Sequence, residues 1–319
     1  MTEAVAPGRR PLLRHGWLQD NGVYVALVLV VLVNVASTPN FVALSTFKSQ
    51  LIPVVPVLIV ALGMALVIGT EGIDLSVGSV MALAAALLPI YLIGYPVVVA
   101  LGMALLAGLL VGLLNGWLIA VVGVQPIVAT LALLVGGRGL ALLLAGGQQK
   151  SIRNDTLLQL GGGEIAGIPY TIIVAAVLTV VVAFVVRQTT FGRQLVAVGG
   201  NKVASELAGL PVRRILITVY VASALLAAVA GILATARLNA STPNNIGNLI
   251  ELSAITAVVV GGTPLSGGRV RILGTVAGVL VLQLIRAAII GNNLPDSTAQ
   301  MVQAVIIVIA VYVQRSRRT

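Results

Sequence analysis

Cysteine is absent from all 319 residues, so neither disulfides nor thiolate metal sites can form. Histidine occurs once, at His15, which leaves no imidazole cluster for a metal or for acid–base chemistry. Charge is also scarce: Asp, Glu, Lys and Arg together make up 9% of the chain. The remaining Asp, Glu and Ser residues do not cluster, which argues against a membrane-embedded enzyme. No Gly-x-x-x-x-Gly-Lys-Ser/Thr phosphate cradle occurs, so the chain itself is not expected to bind ATP. Gly161-Gly-Gly163 lacks a following lysine and reads as a turn. No cofactor, no metal and no catalytic residue are expected.

What fills the chain is apolar. Hydrophobic residues make up 59% and the mean hydropathy is +1.10, values outside the range of soluble domains. A spanning helix needs about 20 mostly apolar residues. Ten candidate runs lie near 20–37, 51–69, 77–94, 97–121, 126–145, 169–186, 214–236, 251–262, 272–290 and 298–313. The run at 251–262 is too short to span alone: it is a half-helix, or a re-entrant piece beside nine spans, or it extends through polar neighbours. The predicted class is therefore an all-α polytopic membrane protein with about ten transmembrane helices, some broken or re-entrant. Residues 1–19 form an N-terminal tail, 20–313 a single transmembrane domain and 314–319 a C-terminal tail. The first run follows Arg9, Arg10 and Arg14 without a small-residue cleavage site and reads as a retained anchor.

The net charge of +10 points to membrane orientation rather than to nucleic acid. With ten alternating spans and the N-terminus inside, the inner side receives thirteen basic residues: Arg9, Arg10, Arg14, Arg187, Arg193, Lys202, Arg213, Arg214, Arg269, Arg271, Arg315, Arg317 and Arg318. The outer side receives four: Lys48, Lys150, Arg153 and Arg237. This bias predicts that both termini are cytoplasmic.

One stretch breaks the apolar pattern. In Gly69-Thr-Glu-Gly-Ile-Asp-Leu-Ser-Val-Gly78, Glu71 and Asp74 sit between two uncharged runs. A charge at membrane depth costs about 2.5–3.5 kcal/mol on insertion scales. Non-helical backbone there is tolerated only where it is buried in protein or lines water. Leu265-Ser-Gly-Gly268 echoes Leu75-Ser-Val-Gly78 after a second glycine-rich break, and paired breaks mark the transport site of many carriers. Arg138 lies within a span and is a candidate to neutralise Glu71 or Asp74.

The longest inner loop covers 187–214. Asn201 reads as an N-cap, Val203 and Leu207 share one face, and Gly209 with Pro211 ends a short surface helix. Such a helix is either a plain connection or a docking element; its residues alone leave both readings open.

The stretches 69–78, Gln125-Pro-Ile-Val-Ala-Thr-Leu131, Gly137-Arg-Gly139, Ala197–Val212 and Ala257-Val-Val-Val-Gly-Gly262 through Gly268 follow one another in the order of a known family. The chain resembles the permease subunit of bacterial ABC sugar importers of the ribose, autoinducer-2 and galactofuranose type. Asn244-Asn-Ile-Gly247 with Glu251-Leu-Ser-Ala-Ile255 is most similar to the galactofuranose branch. The resemblance implies an inner-membrane subunit that forms the path for a monosaccharide. It implies an ABC ATPase dimer on the cytoplasmic face, an extracytoplasmic sugar-binding protein and a second permease subunit, identical or not. It makes Asn201, Lys202, Ala204, Glu206, Ala208 and Gly209 the helix that couples to the ATPase. Pathway or gating candidates are Glu71, Gly72, Asp74, Ser76, Asn115, Arg138, Asn245 and Glu251. The alternative is an ion-coupled secondary transporter with Glu71 and Asp74 as its ion site.

Overall fold

A computed structural model describes residues 15–38 and 40–315. The basic residues Arg9, Arg10, Arg14, Arg317 and Arg318, and with them most of both expected tails, lie outside the described residues. The all-α expectation holds: the only strands among the described residues are two-residue pairings.

Each of the ten apolar runs is a helix. They are α1 (His15–Ser37), α2 (Leu44–Gly69), α3 (Val77–Leu92), α4 (Val97–Trp117), α5 (Pro126–Ala145), α7 (Tyr170–Gln188), α10 (Val212–Leu238), α11 (Ile250–Val260), α12 (Ile272–Gly291) and α13 (Asp296–Arg315). Six of the described helices are long and apolar enough to cross a membrane, among them α2 and α10, whereas α3 and α11 are shorter. α1 already includes His15, the first described residue, ahead of the tail boundary expected at 20. Three further helices lie between the runs: α6 (Asp155–Gly162), α8 (Thr190–Gly200) and α9 (Lys202–Leu207). α8 was not foreseen as a helix, because its glycines at 192, 199 and 200 lower helix propensity. Tertiary packing overrides that: Gly192 and Gly199 are buried where a Cβ would strike neighbouring backbone.

α10 is the axis of the fold. It packs against α2, α3 and α4. The α4 contact is made by Gly108, Gly112 and Gly116, one per turn. A Cβ at these positions would come within 2.8 Å of Ala228, 2.7 Å of Val221 and 2.8 Å of Ile217. Without a hydrophobic drive between helices in lipid, such close backbone approach is what holds them together. Gly63 of α2 does the same against Ser223 of α10, and Gly231 of α10 against Met81 of α3. The outer helices leave apolar side chains exposed, including Leu29 and Leu32 on α1 and Val180 and Phe184 on α7, as lipid-facing surfaces require.

The bundle has two distinguishable ends. At one, Lys48 pairs with Glu164 at 2.7 Å, and Lys150–Ser151 pairs antiparallel with Ala240–Ser241. At the other, α2 ends at Gly69, and the Gly268 amide donates to the Gly69 carbonyl at 3.1 Å. The echoed glycine breaks therefore meet: the 265–268 loop closes on the end of α2.

Between these ends the chain leaves helical geometry twice. After α2, residues 70–76 turn back into the bundle before α3 starts. After α10, Asn239 adopts φ +52°, and residues 242–249 run without helix until α11 starts behind Leu249, at φ +55°. The two helix starts touch. Gly78 and Gly247 are packed so closely that a Cβ on either would collide with the other's carbonyl, and Gly247 also holds φ +72°.

Candidate functional site

The break after α2 is organised by one carboxylate. Asp74 is fully buried. Its Oδ1 accepts from the Ser76 amide at 3.0 Å and the Ser76 hydroxyl at 2.6 Å, and its Oδ2 accepts from the Ser223 hydroxyl at 2.8 Å. Ser76 Oγ in turn accepts from Asn115 Nδ2 at 2.9 Å. A buried carboxylate has to be surrounded by donors, and these supply them. Gly72 makes room for Tyr220, whose hydroxyl would lie 2.5 Å from a Cβ there. The Tyr220 hydroxyl and Asn115 Oδ1 are buried without hydrogen-bond partners. The structure thus gathers four expected residues, Gly72, Asp74, Ser76 and Asn115. Ser223 and Tyr220 escaped the sequence reading. A serine between Ala222 and Ala224 in an apolar run carries no local signal of its partner.

Glu71 goes elsewhere. It is exposed, at φ +65°, at the α2 end of the bundle beside Gly267. Two carboxylates three residues apart therefore face different surroundings, and no joint ion site forms between them.

Arg138 does not neutralise either one, contrary to expectation. Its guanidinium turns to the second break, donating to the carbonyls of Pro243 at 2.9 Å, Ile246 at 3.3 Å and Gly247 at 2.9 Å. Non-helical backbone inside a bundle leaves carbonyls without ladder partners, and the five-donor fork of arginine satisfies several at once. The charge it brings is shared with Glu251, which lies in the first turn of α11, is 6% exposed and keeps Oε2 without a hydrogen bond. Gly78 borders this carboxylate: its Cβ would stand 2.7 Å from Glu251 Oε2. Asn245, also expected, sits in the same segment with its side chain exposed.

Residues 201–209 form the short helix expected. Asn201 Oδ1 accepts from the Ala204 amide at 2.9 Å, and the helix gives way to Gly209 at φ +78°. Ser205 anchors it inward, while Ala204, Glu206 and Ala208 are exposed and Lys202 is half-buried. Val203 and Leu207 are 68% and 85% exposed, so the apolar pair faces away from the bundle. Just before it, Gly199 of α8 is wedged against the Gly69 carbonyl and the Gly268 amide.

A family model described as the branched-chain amino acid transport system permease component matches residues 47–311. The galactofuranose transporter permease protein of Escherichia coli (strain K12) is 37% identical over 326 residues, covering 99% of this chain and 96% of that protein. The fructose import permease protein of Bifidobacterium longum (strain NCC 2705) is 39% identical over 261 residues, covering 80% and 73%. The ribose import permease protein of Escherichia coli (strain K12) is 33% identical over 324 residues, covering 100% of each. No solved structure matches the chain.

Proposed function

The chain belongs to the permease-component family of branched-chain transport systems, and from that premise we propose that it is the subunit through which an ATP-driven importer moves a monosaccharide across the bacterial inner membrane. One observation carries the reading: relatives that cover 80–100% of this chain are import or transport permeases for galactofuranose, fructose and ribose. They favour a sugar over the amino acids in the family's description. ATP hydrolysis belongs to partner ATPase subunits, and sugar capture to a binding protein outside the membrane.

Within that reading the chain makes ten passes with both termini in the cytoplasm, the short α11 completing its pass together with the non-helical segment 242–249. The end bearing Gly69, Gly199 and Gly268 faces the cytoplasm, and the end bearing Lys48, Glu164 and the Lys150–Ser241 pairing faces out. Residues 20–313 form one membrane domain, and 187–214 its cytoplasmic coupling loop. α9 is the coupling helix: its exposed Val203 and Leu207 fit a cleft on the ATPase, and Asn201 and Gly209 fix its ends. A second permease subunit completes the path. Asp74, Ser76 and Asn115 hold the first break shut from inside rather than line open water. Arg138 and Glu251 do the same for the second break. Gly72 leaves space for Tyr220, and Glu71 stands at the cytoplasmic surface near the ATPase.

The test is reconstitution of the chain in liposomes with its ATP-binding and sugar-binding proteins. Labelled ribose, galactose, galactofuranose and fructose are offered with and without ATP. Uptake of one of them that requires ATP is expected. Uptake that ignores ATP and follows an imposed proton or sodium gradient would overturn the reading.

A further inference from the structure

A cavity of about 390 Å³ lies between α2, the segment 242–249, α11, α12 and α13. Its volume falls within the roughly 300–1,000 Å³ of small-molecule sites. Its polar lining is dominated by neutral groups: Asn245, Asn248, Ser253, Gln283, Gln300 and Gln303. The one charged pair, Arg286 with Asp296 at 2.7 Å, is closed on itself. Walls of Val54, Val57, Leu252 and Val279 complete it. Amides and a hydroxyl on apolar walls suit an uncharged ligand carrying several hydroxyls. An acid or an amine would need an open counter-charge.

Two further observations point the same way. The segment 242–249 is non-helical, and such backbone inside a membrane has to be buried in protein or face water. Its carbonyls at 243, 246 and 247 are held by Arg138, while Asn245 and Asn248 line the cavity, where amide groups call for water or a polar ligand rather than lipid. Two of the amides are also loosely held. Gln283 Nε2 reaches Gln50 Oε1 at 3.4 Å and Gln300 Nε2 reaches Asp296 at 3.5 Å, while Gln303 Nε2 donates to Ser253 Oγ at 3.1 Å. Bonds of 3.4 and 3.5 Å are long, and they leave Gln283 and Gln300 with donors and acceptors to spare for a ligand.

We propose that this chamber is the water-filled site that takes the sugar inside the subunit, with the amides of Asn245, Gln283 and Gln303 exchanging hydrogen bonds for its hydroxyls. The proposal rests on the transport reading above. It places the receiving chamber beside the start of α11, on the outward half of the bundle, and not at the Asp74 cluster.

The absence of cysteine from this chain makes the test direct. Asn245→Cys, Gln283→Cys and Gln303→Cys are introduced singly in the complete importer in liposomes, with Val180→Cys and Phe184→Cys on the lipid face of α7 as references. A charged, water-soluble methanethiosulfonate is the probe, and modification of this chain is read by mass. The three chamber positions are expected to react at least about tenfold faster than the references, because the probe is excluded from lipid. Their modification is expected to stop ATP-driven sugar uptake. Reaction as slow as at the references, or full uptake after complete modification, would overturn the proposal. If the unmodified importer takes up no sugar with ATP, the transport reading fails instead, and the labelling rates still decide whether the chamber holds water.

Discussion

Ser223 and Asp74 are 149 residues apart in the chain, and the Ser223 hydroxyl donates to the Asp74 carboxylate at 2.8 Å in the buried centre of the fold. The bond ties the first break to the middle of α10, the helix on which α2, α3 and α4 all pack. It also explains how a carboxylate survives there. Three protein donors replace the water it lost.

Asp74→Ala removes the acceptor and strands Ser223 and the Ser76 amide. Each orphaned buried group costs about 1–3 kcal/mol, so the variant is expected to lose stability on that scale. Asp74→Asn keeps one acceptor and the shape, and is expected to lose less. Thermal unfolding of the purified protein in detergent checks the order. A variant Asp74→Ala as stable as the parent would remove the lock from the account.

Gly199 and Gly200 are neighbours with opposite surroundings. A Cβ on Gly199 would strike the Gly69 carbonyl, whereas nothing lies within 4 Å of one on Gly200. Gly199→Ala has to push α8 away from the end of α2, a repacking of the kind that costs about 1–3 kcal/mol. Gly200→Ala, in a helix, is expected to be neutral or slightly stabilising. Because α8 leads directly into α9, the first change is also expected to weaken the link between ATP hydrolysis and uptake. Equal transport per ATP in the two variants would show that this contact carries no motion.

Much of this was readable from the chain because the signals are local. The stretch 69–78 announces a break by its glycines, and Asn201 announces a cap by its position before Lys202. The ten runs announce helices by composition alone. What stayed hidden depends on pairing across the chain. Arg138 pairs on charge alone with Glu71 or Asp74, the acids expected at membrane depth, but its partners are carbonyls at 243–247, more than a hundred residues away. The cavity is built from α2, α11, α12 and α13, and no single segment contains enough of it to show a pattern. Ser223 is one hydroxyl among alanines until Asp74 is folded against it.

The exposed face of α9 supplies a prediction about a partner. Val203 and Leu207 touch little of the bundle, being 68% and 85% exposed, so Leu207→Asp is expected to leave folding intact. An aspartate in an apolar docking cleft would be desolvated without a partner, a cost of several kcal/mol. Co-purification of the ATPase subunits is therefore expected to be lost. Asn201→Ala, which removes the side-chain cap on Ala204, is expected to loosen the helix by about 1 kcal/mol and to weaken the same association less. Normal ATPase recovery with Leu207→Asp would move the docking surface elsewhere.

Arg138 allows charge and geometry to be separated. If it serves only to balance Glu251, then Arg138→Met is harmful because it leaves that acid unpaired, and Glu251→Gln should rescue it. If it serves to satisfy the carbonyls of Pro243, Ile246 and Gly247, neutralising Glu251 leaves all three still without a donor. The contacts favour the second account, since the guanidinium donates to all three carbonyls and Glu251 Oε2 takes part in no hydrogen bond. Arg138→Met is expected to cost about 3 kcal/mol or more, by the orphaned-acceptor penalty, and Glu251→Gln to restore little of it. Arg138→Lys keeps the charge but not the planar fork, and is expected to fall nearer to Met than to Arg. The double-mutant cycle, read by thermal unfolding and by ATP-driven uptake, decides between the two. Near-complete rescue by Glu251→Gln would make Arg138 a counter-ion and leave the segment before α11 to be held by other means.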